Sequence, residues 1–177
     1  MSGYFGTRMQ QRLQAQAEAS IDFVNATPGA CQCGRFMGSD DPDRLGWERI
    51  DALLARDGLF SFRLVPAGRV DALRSRLAGQ GYRLDTWDVF LAERAAALAA
   101  SRAILSRGLP DGLTELARPT DPEGEYTVRI QALMGAAGVV PFSGSLLTGT
   151  IAPATTVAVG DRNGNVVAAA HGYLPHN

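Results

Sequence analysis

The stretch Thr155–Tyr173, TTVAVGDRNGNVVAAAHGY, contains two runs of β-forming residues on either side of the turn sequence Asp161–Gly164, DRNG. Asn and Gly tolerate the positive φ angles that tight hairpin turns require. The sequence therefore predicts an antiparallel hairpin, with one strand over Thr155–Gly160 and the other over Val166–Tyr173.

The segment upstream of this hairpin predicts a strand followed by a helix. The strand covers Leu113–Ala117, and the helix begins near Thr120 and runs to about Ala137, where Gly138 ends it. Thr120 and Glu123 have the spacing of a capping box, and Pro122 suits a first helical turn. Residues 139–149 are predicted to form a loop or a short second helix. Helical spacing predicts that four residues of the longer helix face the core: Tyr126, Ile130, Leu133 and Met134.

The order strand, helix, loop, strand, tight turn, strand over Gly112–Asn177 resembles the opening of the Gcn5-related N-acetyltransferase (GNAT) family. The hairpin phrase, in which Asp161 and Gly164 precede two valines and small residues, is similar to that family's second and third strands. The resemblance implies an α/β (α+β) fold class, with a partial mixed or antiparallel sheet and flanking helices. It also implies acetyl transfer from acetyl-CoA to a primary amine on a small molecule or a peptide.

In that family, acetyl-CoA is held by the next strand and by a loop of the form Gln/Arg-x-x-Gly-x-Gly/Ala that begins a helix. Here that segment would follow Asn177, so we expect a truncated chain that lacks the cofactor-binding loop and is inactive alone, with its catalytic residues unassigned. Arg76–Gly81, RLAGQG, matches the loop pattern by letter. It lies at the end of a predicted helix, whereas a pyrophosphate needs the amides at a helix beginning, so we predict a helix stop there.

The first half is predicted to contain a helical region and then a strand–helix–strand unit. We divide the chain into a region 1–107, in which Gly58–Leu91 resembles the helix-and-strand tail of the GNAT family and which is interpreted as a degenerate GNAT-like module, and a region 108–177 that resembles the N-terminal half of a GNAT domain. The predicted elements of the first region are a helix over Thr7–Val24, a loop over Thr27–Asp43, a helix from a cap at Asp43 through Ala55 with Asp57-Gly58 as its end, a strand over Leu59–Val65, a helix over Arg69–Ala78, a strand over Tyr82–Leu91 and a linker helix over Glu93–Ser106.

Three residues are candidate substrate-binding positions. The resemblance places residues 139–149 beside the entrance of the acceptor amine, which nominates Phe142 and Ser143. His171 has a suitable intrinsic pKa for a base. Two alternatives stay open: Ser143 as a loop cap, and His171 as a structural or surface strand residue.

The composition narrows the functional classes. The formal net charge is −1 and Lys is absent, which argues against nucleic acid as the main partner. No apolar run reaches the length of a membrane span and no targeting segment is visible, so we expect a cytoplasmic protein without membrane contact. Cys31 and Cys33 are expected to be reduced thiols, and no metal site is predicted.

An alternative to the enzyme is a non-catalytic module that associates, for example as a homodimer, through an open strand at 166–173.

Overall fold

The computed structural model describes residues 2–33 and 36–173 and has a mixed α/β fold with two three-stranded sheets. The described residues up to Ser61 and from Pro110 onward form one compact unit, and Phe62–Leu109 form a second. No helix among the described residues combines the length and the hydropathy that crossing a bilayer requires.

The N-terminal part of the first unit begins with two helices where the sequence predicted one. Thr7 caps the first through a capping box with Gln10. At Ser20 the hydroxyl donates to the carbonyl of Gln16 at 2.7 Å, and the backbone leaves the helical path. Serine competes for backbone groups in this way and interrupts helices. The prediction of a continuous helix over Thr7–Val24 was therefore wrong, and the helices are α1 (Arg8–Ala19) and α2 (Ile21–Ala26).

The predicted loop over Thr27–Asp43 was wrong as well, because it contains the strands β1 (Ala30–Cys33) and β2 (Phe36–Ser39). These strands pair antiparallel, with Cys31 opposite Gly38. The Sγ atoms of Cys31 and Cys33 lie 3.7 Å apart and form no disulfide. A Cβ at position 38 would approach Cys33 Sγ to 2.6 Å, so the glycine leaves the space that the sulfur atoms occupy.

The helix predicted from Asp43 is in fact two helices, α3 (Pro42–Leu45) and α4 (Trp47–Asp57). The cap is Asp41, not Asp43, and its carboxylate accepts from the Arg44 amide. Gly46, with φ of 90°, separates the helices, and Gly58 ends α4 in the left-handed conformation, as predicted. A small core contains Val24 from α2, Met37 from β2 and Leu53 from α4. Phe23 and Phe60 pack against it.

The predicted strand over Leu59–Val65 shortens to β3 (Ser61–Phe62), which completes the sheet of order β1-β2-β3. Leu64 has a φ of 54°, which takes the backbone out of the extended conformation, and this explains the early end of the strand.

The second unit contains a 3-10 turn (Ala67–Arg69) and the helices α5 (Val70–Ala78) and α6 (Arg94–Leu105). Both helices were predicted. The amides of Gly81 and Tyr82 donate to the carbonyls of Ala78 and Leu77, and Gly81 has a φ of 82°, so RLAGQG is a helix stop.

The predicted strand over Tyr82–Leu91 was wrong, because that segment has no strand structure. Trp87 is 83% exposed and Phe90 93% exposed. A β-forming pattern becomes a strand only where a second strand supplies hydrogen-bonding partners.

The C-terminal part of the first unit has the predicted element order. It contains β4 (Thr114–Leu116), α7 (Glu125–Ala136), α8 (Gly144–Thr148), β5 (Ala154–Gly160) and β6 (Val166–Tyr173). The three strands form an antiparallel sheet of order β4-β5-β6. The predicted hairpin turn is confirmed: the Asp161 carboxylate accepts from the amides of Asn163 and Asn165, and Gly164 has a φ of 77°.

The beginning of α7 differs from the prediction. The N-cap is Gly124, and Thr120 makes no capping box. Asp121 instead folds residues 121–124 into a turn, in which its side chain accepts from the Glu123 amide and its carbonyl accepts from the Gly124 amide. An Asp side chain competes strongly for nearby amides, and this moves the helix start towards the C-terminus. Gly138, with a φ of 76°, follows the C-cap residue Ala137 and ends α7, as predicted.

The core of this part lies between α7, α8 and one face of the sheet. Ile130, Met134, Leu147 and Ala158 are buried together. Two of the four residues predicted to face the core, Ile130 and Met134, are buried, whereas Tyr126 and Leu133 are only half-buried. The buried face of α7 includes two polar residues that the periodicity did not indicate: Thr127 and Gln131.

Candidate functional site

His171 lies on β6 directly opposite Thr156 on β5. Side chains alternate between the two faces of a strand, so positions 169, 171 and 173 share one face. Ala169 packs against the core cluster, and this identifies the shared face as the one that α7 and α8 cover. The imidazole therefore points into the space between the sheet and the short helix α8.

The hydroxyl of Thr156 determines which nitrogen of His171 carries the proton. Thr156 Oγ1 lies 2.6 Å from the carbonyl oxygen of Leu147, which can only accept, so the hydroxyl proton is donated there. The same oxygen lies 2.9 Å from His171 Nδ1. Because a hydroxyl has a single proton, Thr156 must accept in this second bond, and Nδ1–H donates. In the neutral ring, Nε2 then carries an unprotonated lone pair.

His171 Nε2 is buried and has no hydrogen-bond partner among the described residues. Burial lowers the pKa of His171 from 6.5 to about 4. The imidazole is therefore neutral at physiological pH, and Nε2 is a hydrogen-bond acceptor that nothing on the described protein satisfies.

Two aromatic rings adjoin the imidazole. The Phe142 centroid lies 4.6 Å from that of His171, with the ring planes tilted by 46°. Tyr173 stacks on His171 at 5.7 Å and meets Phe142 edge-on at 5.5 Å. The three rings form a cluster, which we call the aromatic triad, at the junction of the α7–α8 loop with β6.

Gln131 and the N-terminal segment hold the α7–α8 loop in place. The Gln131 amide donates to the carbonyl oxygens of Phe142 and Gly3, at 2.8 Å each, and its side chain is buried. The Ser145 amide donates to Ser2 O at 3.1 Å. These contacts fix the backbone on which the Phe142 ring is mounted.

Of the three predicted site residues, Phe142 and His171 are in ring contact, and Ser143 has a different environment. Ser143 is buried, and its hydroxyl accepts from the Leu146 amide at 3.3 Å as the N-cap of α8. That hydrogen bond corresponds to the loop-cap alternative. Since the oxygen caps the helix, we assign no ligand contact to Ser143.

Sequence reasoning missed Thr156, Tyr173 and Gln131. Tyr173 follows His171 by two residues, so the period of the strand could have placed it on the same face. Thr156 could have been found from the register of the hairpin, which pairs it with His171. Nothing local to Gln131 indicates its role, because one of its two acceptors lies 128 residues away.

Comparison of the chain with protein-family models, with curated proteins and with solved structures finds no match. Over residues 2–33 and 36–173, no three His, Cys, Asp or Glu side chains are grouped to hold a metal ion. The candidate site is therefore argued from its geometry.

Proposed function

We propose that the protein is an N-acetyltransferase that moves acetyl from acetyl-CoA to an amine, and that residues 112–173 supply the acceptor side of its site. The observation that carries the proposal is the arrangement of β4, α7, α8, β5 and β6. The antiparallel order β4-β5-β6 and the two helices between β4 and β5 correspond to the opening that the sequence resembles. The resemblance implies that the α7–α8 loop borders the amine entrance, and the contact of Phe142 on this loop with His171 supports the proposal.

The described residues that match the acetyl-CoA loop pattern do not fit the coenzyme. In RLAGQG, the amides of Gln80 and Gly81 already donate to carbonyls of α5, and the segment ends a helix instead of beginning one. A pyrophosphate needs unpaired amides at a helix start. We therefore assign no coenzyme contact to these residues and restrict the proposal for this chain to amine recognition.

The test is release of the coenzyme A thiol by the product of the complete reading frame, with a panel of small amines and short peptides as acceptors. We expect thiol release that depends on the amine and falls at least tenfold when Phe142 is changed to Ala. Absence of acetyl-CoA binding and of thiol release with every acceptor in the complete product would overturn the proposal.

A second candidate function is association through β6, which has a neighbour on one side only in the described sheet. Val157 and Val167 are exposed on this hairpin, at 41% and 42%. An uncharged edge strand favours pairing with a second copy of the chain. Light scattering after gel filtration would show a dimer at tens of micromolar that Val167→Lys converts to a monomer. A wild-type protein that stays monomeric would exclude this candidate.

A further inference from the structure

The aromatic triad surrounds a hydrogen-bond acceptor that the described residues leave unused. We propose that His171 Nε2 anchors a site for an uncharged N–H donor on a flat apolar body, the chemistry of an aromatic amine, with Phe142 and Tyr173 as its walls. The identification of this ligand as the acetyl acceptor rests on the proposed function. The inference that such a ligand binds here is independent of that function.

The first step of the argument is the protonation of the imidazole. Nδ1–H donates a hydrogen bond to Thr156 Oγ1, because the hydroxyl proton of Thr156 is donated to Leu147 O. Nε2 therefore presents a lone pair, and it is buried without a partner. A buried acceptor without a partner is costly, so a ligand that donates to Nε2 recovers a hydrogen bond that the empty site lacks.

The second step concerns charge. The pKa of His171 is lowered by burial, and no carboxylate of residues 2–33 or 36–173 counteracts the shift. A carboxylate at the site would favour the imidazolium and raise the pKa. The site thus offers no counter-charge to an ammonium group, which would have to give up its hydration to enter. A neutral N–H donor enters at a much lower desolvation cost.

The third step concerns shape and access. Phe142 and Tyr173 provide apolar ring surface on the same side of the sheet as Nε2. Flat ligands stack well on such rings. The Phe142 ring is half-buried and lies closest to the imidazole, while its carbonyl is held by Gln131. Admission of a ligand requires this side chain to rotate away from the imidazole and from the core cluster against which it packs.

The experiment is nuclear magnetic resonance of the imidazole nitrogens during titration with three ligands of nearly one shape. Aniline is a neutral donor, toluene has no donor, and benzylamine is cationic at pH 7. We expect aniline to bind about fivefold more tightly than toluene, which is the effect of one net hydrogen bond, and to shift the Nε2 resonance. Benzylamine is expected to bind more weakly than aniline.

His171→Phe keeps an aromatic ring but removes the acceptor, so aniline and toluene should bind this variant equally. The tautomer of the wild-type protein is a second readout that needs no variant. A protonated Nε2 in the unliganded protein, or equal binding of aniline and toluene by the wild type, overturns the inference. Aniline binding without acetyl transfer in the complete gene product would contradict only the proposed function.

Discussion

The amide of Gly144, at the start of α8, donates to the carbonyl oxygen of Gly3 at 2.8 Å. Both glycines pack against the backbone of Pro122, and a Cβ on either would lie 1.9 Å from Pro122 O. Three backbone segments therefore meet without side chains between them. This contact joins the N-terminal segment to the loop that carries Phe142.

We expect Gly144→Ala to destabilise the fold by about 2–3 kcal/mol, because the new methyl group overlaps the backbone carbonyl of Pro122. Urea unfolding followed by circular dichroism measures the loss. Gly172→Ala is the matched control, since nothing lies within 4 Å of a Cβ at that position. Equal stability of the two variants would contradict the close backbone approach.

Gln131 is buried and donates to two carbonyl oxygens. Gln131→Leu leaves both acceptors without this donor and should lower the free energy of unfolding by about 2–3 kcal/mol. Gln131→Glu should lower it at least as much at pH 7, since a carboxylate then faces two carbonyl oxygens. Its loss should shrink at pH 5 as the carboxyl gains a proton to donate. Ala132→Ser, on the exposed side of the same helix, serves as the control and should change stability little.

Thr156→Val keeps the shape of the side chain and removes the hydroxyl between Leu147 O and His171 Nδ1. We expect a loss of about 1–3 kcal/mol and an imidazole that no longer keeps a single tautomer. Thr156→Ser retains the hydroxyl and should preserve the Nδ1–H form. Imidazole ¹⁵N shifts distinguish the two variants. An unchanged tautomer in Thr156→Val would show that another group sets the proton position.

The low pKa of His171 predicts how stability depends on pH. The folded value is about 4, whereas the ordinary value of 6.5 applies to the unfolded chain. As pH falls from 6.5 to 4, only the unfolded state gains this proton, so stability declines; above 6.5 and below 4 the residue adds no slope. The total loss is up to about 2 kcal/mol, after allowance for the partial exposure of the ring. This loss of stability should be absent from His171→Phe when unfolding curves of both proteins are measured from pH 6.5 to 4. The carboxylates titrate in both proteins, so the difference between the two pH profiles isolates the contribution of His171.

Phe142→Ala should raise the pKa of His171 towards 6.5. The desolvation that lowers this pKa comes from burial, and the Phe142 ring lies 4.6 Å from the imidazole. A titration of the imidazole resonances gives the value directly. A pKa that stays near 4 in this variant would mean that other groups exclude water from His171.

Patterns that are local in sequence allowed much of the C-terminal part to be predicted. The hairpin around Asp161–Gly164 and the end of α7 at Gly138 depend on turn chemistry that a few neighbouring residues specify. The hairpin of β1 and β2 was missed because Gly and Pro around it indicate a loop, although Cys31 and Met37 are buried within it. There, burial of Met37 against Val24 and Leu53, which lie elsewhere in the chain, outweighs the local composition.

The opposite error occurred at Tyr82–Leu91, where β-forming residues stay without strand structure. Local propensity cannot supply the partner strand that such a segment needs. The residues of the candidate site also differ in how far the sequence predicts them. Phe142 and His171 could be nominated from the sequence, whereas the proton position at His171 depends on Thr156, whose hydroxyl contacts are visible only in three dimensions.

The attachment of Ser2 to Ser145 spans 143 positions of the chain. During synthesis, Ser2 has no place to bind until residue 145 has left the ribosome, so the segment that secures the Phe142 loop is ordered late. Contacts this distant in sequence carry a high loop-closure entropy and slow the final stage of folding. The backbone on which the Phe142 ring is mounted should therefore be secured only after most of the chain has been synthesised.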